Sequence, residues 1–187
     1  IEEVLALGLA VDMIAPSHGV IWRKDPLQIV HKYMEWAKQV PEKRAVLLAD
    51  TMWQATMKMA EAIGEGMAEK GVPFRIFNMA LSDRNDVLTE VFRSGAVVVG
   101  SPCLNGGLLP TLTPVLEDLK GLKFRNKVGA AFGSYGWSGE NVKRIEKELE
   151  GAGIPLAAPG VLVKWQPDEK GFEACRDLGR KVAEALL

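Results

Sequence analysis

The sequence predicts an α/β fold with a doubly wound sheet of five parallel strands. From Arg44 onward, apolar runs of strand length alternate strictly with segments of helical periodicity. The apolar runs are continuous rather than alternating, which is typical of strands buried on both faces of a parallel sheet. Strands that alternate with helices favour βαβ units, and the right-handed crossover rule leaves few topologies for them.

The elements after Arg44 follow from local patterns. The clearest strand contains three consecutive valines, and Gly71 ends the first helix because glycine readily adopts a left-handed conformation. We predict strands at residues 45–49, 73–77, 96–100, 128–132 and 161–163. We predict helices at residues 56–70 and 86–94, around 112–119 and 142–149, and from about 169 onward.

The first forty residues have a different pattern. They contain a helical start, a short apolar strand at residues 11–15, a turn at residues 16–19 and a second helix. The buried side of that second helix is expected to consist of Ile29, Tyr33, Met34 and Trp36. Residues 41–44 are polar and begin with a proline. We therefore predict two regions, residues 1–40 and 41–187.

Composition and charge restrict the function classes. The chain has 23 basic and 24 acidic residues and a net charge of −1, so no nucleic-acid or membrane-surface partner is expected. We find no apolar run of membrane-spanning length and no export leader, and we expect a cytoplasmic location. The chain starts at Ile1 rather than at methionine, so we expect N-terminal processing or further upstream sequence.

The two cysteines, Cys103 and Cys175, lie far apart and offer neither a metal-binding spacing nor a disulfide framework. Cys175 lies at helical spacing with Phe172 and Leu178. This spacing predicts a small core residue.

The loop after the first strand is a candidate phosphate site. In doubly wound sheets, ligands bind beyond the carboxyl ends of the strands, which directs attention to the loops after strands one, three and four. The first of these loops leads into a helix, whose N-terminus offers free N–H groups and the positive end of a dipole. It has no lysine and no Gly-Lys-Ser/Thr sequence, so a monophosphate fits better than a triphosphate. The alternative is that Thr51 only caps the helix. The candidate residues are Thr51, Met52, Trp53, Gln54, Ala55 and Thr56.

The loop after the third strand is long and rich in glycine and proline. A loop that only connects two elements would be shorter and more polar. Backbone N–H groups exposed by glycines can donate hydrogen bonds to the edge of a flat heterocycle. The alternative is a packed Ω-loop, which glycines also permit. The candidate residues are Pro102, Cys103, Leu104, Asn105, Gly106 and Gly107.

The loop after the fourth strand combines two aromatic residues with three glycines, an unusual composition for a solvated turn. The aromatic rings can stack on a planar ligand or form a lid over the core, and this loop alone favours the lid. The candidate residues are Ser134, Tyr135, Gly136, Trp137 and Gly139. The three loops together favour a flat phosphorylated cofactor, and we predict FMN.

Several motifs resemble those of flavodiiron proteins, the A-type flavoproteins, over essentially the whole chain. The most specific is the run at residues 132–140. The other motifs are Thr51-Met52-Trp53 with Thr56, Met59 and Ala60, then Ser101-Pro102, Leu119-Lys120-Gly121-Leu122 and, upstream, Ala15-Pro16-Ser17-His18-Gly19. Cys103 and Gly106 depart from the family pattern, which has a threonine and commonly an asparagine there. Both departures affect side chains in a loop that acts through its backbone.

This resemblance implies a flavodoxin-like domain with strand order 2-1-3-4-5 at residues 41–187 and FMN as its cofactor. Residues 1–40 would be the C-terminal remnant of a metallo-β-lactamase-like diiron domain plus a linker helix. The implied enzyme is an oxidoreductase. Its flavin takes electrons from a rubredoxin-like or similar donor and passes them to two irons that reduce dioxygen to water, nitric oxide to nitrous oxide, or both. A head-to-tail homodimer or tetramer is also implied, with the flavin of one subunit facing the irons of another.

His18 is the candidate iron ligand. By resemblance it occupies the place of the family's final iron-ligating histidine, and most other ligands would lie upstream of the chain. The alternative is a histidine that caps the next helix. His31 follows in a helix, where a surface or interface residue is expected.

Two other functions share the predicted fold, because fold does not decide function. One is a stand-alone flavodoxin-like electron carrier or an FMN-dependent quinone reductase. The other is a non-catalytic interaction module with a vacant cofactor site, which a yellow purified protein would exclude. The motif at residues 16–19 favours the enzyme, because a free carrier does not need it before its first strand.

Overall fold

The computed structural model describes residues 1–187, which form two compact units, Ile1–Val40 and Pro41–Leu187. None of the helices combines the length and the apolar character that a membrane span requires.

The first unit contains two helices, α1 (Glu2–Ala6) and α2 (Leu27–Ala37). Between them, Ile14 and Trp22 form a single antiparallel bridge with N···O distances of 3.0 and 2.9 Å. The strand predicted at residues 11–15 was therefore wrong. The ladder does not extend, because Pro16 has no N–H group to donate.

The buried side predicted for α2 is only partly present. Ile29 is buried and Met34 is half-buried, whereas Tyr33 and Trp36 are 51% and 44% exposed. The rings of Tyr33 and Trp36 pack edge to face, 5.5 Å apart. A unit of forty residues has too little apolar surface to cover a whole helix face, which explains why the prediction for these two side chains was wrong.

The second unit is built on the predicted sheet. Its strands are β1 (Glu42–Ala49), β2 (Phe74–Asn78), β3 (Ser94–Gly100), β4 (Val128–Tyr135) and β5 (Val161–Lys164). All neighbouring strands pair in parallel, in the order β2-β1-β3-β4-β5, which confirms the predicted fold class. β4 continues past its predicted end because Ser134 and Tyr135 pair with Val163 and Lys164 of β5.

Five helices cover the sheet: α3 (Ala55–Glu69), α4 (Arg84–Arg93), α5 (Thr113–Leu122), α6 (Glu140–Gly151) and α7 (Glu169–Glu184). Alternate strand residues point to opposite faces. Val46 and Leu48 pack with side chains of α4, α5 and α6, whereas Leu47 packs with those of α3 and α7. Cys175 is a core residue of this second face, as predicted, and burial raises the pKa of its thiol to about 12.

Helices α3 and α7 approach each other through two glycines. A Cβ atom at Gly66 would lie 2.0 Å from the carbonyl oxygen of Arg176, and one at Gly179 would lie 2.0 Å from that of Ile63. Both obstacles are backbone atoms, so a larger side chain at either position would push the helices apart.

We predict that Gly179→Ala destabilises the second unit by about 2 kcal/mol or more, because the helices must separate to admit the methyl group. Gly121→Ala is the matched control, since a Cβ atom at this helical position would meet nothing within 4 Å. That control should be neutral or stabilising by up to about 1 kcal/mol, the difference in helix propensity. The urea midpoint of unfolding reports the stability of both variants. Equal midpoints for the two variants would contradict the close packing of α3 and α7.

Candidate functional site

A cleft of about 480 Å³ lies at the carboxyl edge of the sheet, within the usual size range of cofactor pockets. Its lining comes from the loops after β1, β3, β4 and β5. The predicted residues that line it are Thr51, Met52, Trp53, Ala55, Pro102, Cys103, Asn105, Gly106, Ser134, Tyr135, Gly136 and Trp137. The structure thus brings the three predicted loops together around one space.

Other predicted residues do not line the cleft, namely Gln54, Thr56, Leu104, Gly107 and Gly139. Gln54 is the N-cap of α3 in a left-handed conformation, and Thr56 is fully buried in the first turn. A Cβ atom at Gly139 would lie 2.6 Å from the Leu162 side chain, so this glycine allows close packing against β5.

The N-terminus of α3 carries the chemistry of an anion site. No side chain caps this helix, and no acidic residue lies in its first turn. The hydroxyl oxygen of Thr51 is buried and has no hydrogen-bond partner. The cap proposed as the alternative role of Thr51 is therefore not formed. Free N–H groups, a positive dipole end and an unpartnered hydroxyl together fit a phosphate group.

Asp50 connects this loop to the element that follows β3. Its buried carboxylate accepts a hydrogen bond from the N–H of Thr51, at 2.7 Å, and another from the hydroxyl of Thr111. Both carboxylate oxygens therefore have partners. The contact holds the start of the candidate phosphate loop in place without using the Thr51 hydroxyl.

The loop after β3 contains a tight turn. Asn105 and Gly106 both have positive φ, at 51° and 67°, and Leu104 and Gly107 form a bridge around them. The N–H groups of Leu104 and Gly107 donate across this bridge at 3.2 and 2.8 Å. These two amides are therefore used within the turn, and only its tip lines the cleft.

Asn141, which is fully buried, connects the loops after β3 and β4. Its amide nitrogen donates to the carbonyl oxygens of Ser101, at 2.6 Å, and Ser134, at 3.2 Å. A Cβ atom at Gly133 would lie 2.3 Å from both the Asn141 amide nitrogen and the Ser101 carbonyl oxygen. Glycine at position 133 is therefore required for this connection.

Cys103 places a thiol at the cleft wall, near a carboxylate. Its sulfur lies 3.6 Å from a carboxylate oxygen of Glu140 and 3.9 Å from the hydroxyl of Ser138. Hydrogen bonds from the Ser138 hydroxyl, the Glu140 backbone N–H and the Cys103 thiol lower the pKa of Glu140. The Cys103 thiol thus connects the cleft wall to this carboxylate.

Sequence reasoning missed three lining residues, Ser138, Trp165 and Gln166. Trp165 and Gln166 directly follow β5, whose carboxyl end lies at the same edge as those of β3 and β4. The general rule for parallel sheets would have pointed to this loop as well. Of the two aromatic residues predicted in the loop after β4, Tyr135 is half-buried, whereas Trp137 is 92% exposed and packs against Trp165.

His18, the candidate iron ligand, lies between the bridge partners Ile14 and Trp22. It is exposed, and its Nδ1 atom lies 3.2 Å from the hydroxyl of Ser17. Residues 1–187 contain no group of three or more His, Cys, Asp or Glu side chains that could hold a metal ion. Two irons need several oriented ligands, so the residues present do not fit a diiron centre. His31 is also exposed.

An uncapped helix N-terminus beside an aromatic-edged cleft, at the switch point of a 2-1-3-4-5 sheet, is the arrangement expected of a mononucleotide-binding α/β protein. Residues 47–179 match the family model described as flavodoxin, and the chain belongs to this family. A flavodoxin domain indicates FMN binding.

Longer proteins match the chain over its whole length. A nitric oxide reductase of Moorella thermoacetica is 46% identical over 187 residues, which are 100% of this chain and 47% of the relative. The rubredoxin oxygen:oxidoreductase of Desulfovibrio gigas is 37% identical with a TM-score of 0.94, covering 99% of this chain and 47% of that chain. The flavodiiron protein of Giardia intestinalis is 27% identical with a TM-score of 0.86, and the match covers 99% of this chain and 46% of that chain. The predicted resemblance is confirmed, and the chain spans about half the length of these relatives.

We predict that Thr51→Val weakens FMN binding at least about tenfold, because a hydrogen bond to a charged group contributes about 1.5–3 kcal/mol. The stability of the apoprotein should not fall, since the Thr51 hydroxyl has no partner to lose. Thr89→Val is the control, because the Thr89 hydroxyl donates only to Asn85 within α4. Fluorescence titration measures the FMN affinity of both variants. If Thr51→Val bound FMN as tightly as the parent protein, the Thr51 hydroxyl would not be part of the site.

Proposed function

We propose that this chain binds FMN in its cleft and serves as the electron-transferring flavoprotein part of a longer oxidoreductase, which reduces nitric oxide, dioxygen or both. The observation that carries the proposal is the uncapped N-terminus of α3 with the buried, unpartnered hydroxyl of Thr51. When bound there, FMN supplies one- and two-electron redox chemistry.

The loops have separate roles in this proposal. Backbone N–H groups at residues 52–56 and the Thr51 hydroxyl hold the phosphate, with the hydroxyl of Thr56 behind them, 3.2 Å from that of Ser134. The tip of the turn at Asn105 and Gly106 offers backbone groups to the edge of the ring. Tyr135 and Trp137 supply aromatic surface to its face. The ionised Glu140 places a negative charge near the ring, which disfavours added negative charge on a reduced cofactor.

The full-length relatives favour an enzyme over a stand-alone carrier or quinone reductase. The flavodoxin family match, residues 47–179, lies entirely within the second unit, whereas the nitric oxide reductase and the rubredoxin oxygen:oxidoreductase also match residues before Pro41. A free carrier has no evident use for those residues. We propose that Ile1–Val40 continues a metallo-β-lactamase-like diiron domain in the whole protein.

The electron donor and the oligomeric state are further parts of the proposal. The name of the Desulfovibrio gigas protein contains rubredoxin, and we propose a rubredoxin-like electron donor for the whole protein. We also propose a head-to-tail homodimer or tetramer, in which the cleft of one subunit faces the metal centre of another. His18 would then be one ligand among several supplied from further upstream.

The proposed cofactor is tested directly on the purified chain. Heat release followed by chromatography should yield FMN, and metal analysis should find no stoichiometric iron, because His18 is the only ligand predicted within residues 1–187. Recovery of FAD as the main flavin, or a colourless protein that does not take up added FMN, would overturn the proposal. Iron at two atoms per chain would contradict the assignment of the iron ligands to upstream sequence.

A further inference from the structure

We propose that Trp165 and Gln166, in the loop after β5, form a fourth wall of the cofactor cleft. Trp165 lies beside the ring, and Gln166 lies beside the phosphate. This inference rests on the proposed FMN binding and assigns binding roles to residues outside the three predicted loops. Both residues line the cleft.

The backbone of Trp165 is held in an unusual conformation. Its φ is 60°, in the left-handed region that bulky side chains rarely adopt. Such conformations persist only where the surrounding structure fixes them, and they are concentrated at functional sites. Here the N–H of Trp165 donates to the carbonyl oxygen of Tyr135 at 2.8 Å, which continues the pairing of β4 with β5.

The indole of Trp165 is directed to the loop after β4. A Cβ atom at Gly136 would lie 3.2 Å from this indole, and the ring of Trp137 packs against it at 5.7 Å and 63°. Trp165 remains 58% exposed although it lines the cleft. A large aromatic surface is thus available at the end of the cleft where Tyr135 and Trp137 lie, and planar rings bind such surfaces.

Gln166 contacts the candidate phosphate loop. Its amide nitrogen donates to the carbonyl oxygen of Trp53, in the candidate phosphate loop, at 3.0 Å. A glutamine amide has two N–H donors and a carbonyl acceptor, so one donor and the acceptor remain for a ligand. The remaining N–H donor suits an oxygen of the phosphate group.

The loop is fixed behind these two residues. Pro167 is buried, and the carboxylate of Asp168 caps α7 by accepting from the N–H of Gly171 at 2.8 Å. Trp165 and Gln166 therefore connect the loop after β4 to the loop after β1 through a segment whose next two residues are a buried proline and a helix cap. Ordering of this kind before the ligand arrives reduces the entropic cost of binding.

The test compares FMN with riboflavin, which has the same ring and ribityl chain but no phosphate, by fluorescence titration of the apoprotein of the full chain. Trp165→Gly should lower the affinities for FMN and riboflavin by the same factor, about tenfold. It should not lower the thermal midpoint by more than a few degrees, because glycine relieves the backbone strain. Trp165→Phe should retain affinity within about threefold, since an aromatic surface remains. Gln166→Ala should lower the affinity for FMN about fivefold and leave the affinity for riboflavin unchanged.

Lys123→Gly is the matched control for strain, because Lys123 also has a positive φ, of 51°, but ends α5 and does not line the cleft. It should bind both ligands like the parent. Parental affinities in Trp165→Gly would overturn the role of the indole. Equal losses of FMN and riboflavin in Gln166→Ala would overturn the placement of Gln166 at the phosphate. A parent protein that binds no FMN would instead overturn the proposed function.

Discussion

The parallel register of β1, β3 and β4 is the constraint on which the site depends. Ala49 pairs with Gly100, and Gly100 pairs with Phe132, so β1 and β3 end at one level, beside Phe132 of β4. A Cβ atom at Gly100 would lie 2.1 Å from the Phe132 ring, so this row requires glycine in the central strand. Asp50 and Ser101 begin the loops after β1 and β3 at this level, whereas β4 continues to Tyr135 before its loop begins. A shift of the strand register by one residue would move every side chain of the shifted strand to the opposite face of the sheet and would separate the loops.

Buried polar side chains then fix these loops to one another. The carboxylate of Asp50 joins the loops after β1 and β3, and the amide of Asn141 joins those after β3 and β4. The hydroxyl of Ser101 accepts from the N–H of Leu109 at 3.0 Å and holds the far end of the loop after β3. Buried hydrogen bonds of this kind help to specify one conformation, although the Oδ1 atom of Asn141 is buried without a partner. The cleft is therefore shaped by the protein's own hydrogen bonds.

Much of this arrangement could be predicted from the sequence because it depends on local patterns. Continuous apolar strands, helix-ending glycines and the loops at strand ends are visible without a structure. The contributions of Trp165 and Gln166 were missed because β5 is short and its loop contains no glycine. Hydrogen bonds between distant residues, such as the one from Gln166 to Trp53, leave no pattern in the sequence. The exposed side chains of α2 were predicted as buried because periodicity indicates an apolar face but not what covers it.

The central claim is that backbone N–H groups and a neutral hydroxyl, rather than a cationic side chain, hold a single phosphate at the N-terminus of α3. The residues from Thr51 to Thr56 carry no charged side chain, so the dipole of α3 and the free N–H groups must balance the negative charge. Such donors stabilise the dianion and lower the second pKa of the phosphate, which is about 6 for a free phosphate monoester.

Phosphorus NMR of the protein with FMN tests this claim directly. The account predicts a resonance that does not titrate between about pH 5.5 and 8, because the bound phosphate stays dianionic throughout that range. A resonance that titrates with a midpoint near that of free FMN would show a solvated phosphate and contradict the account.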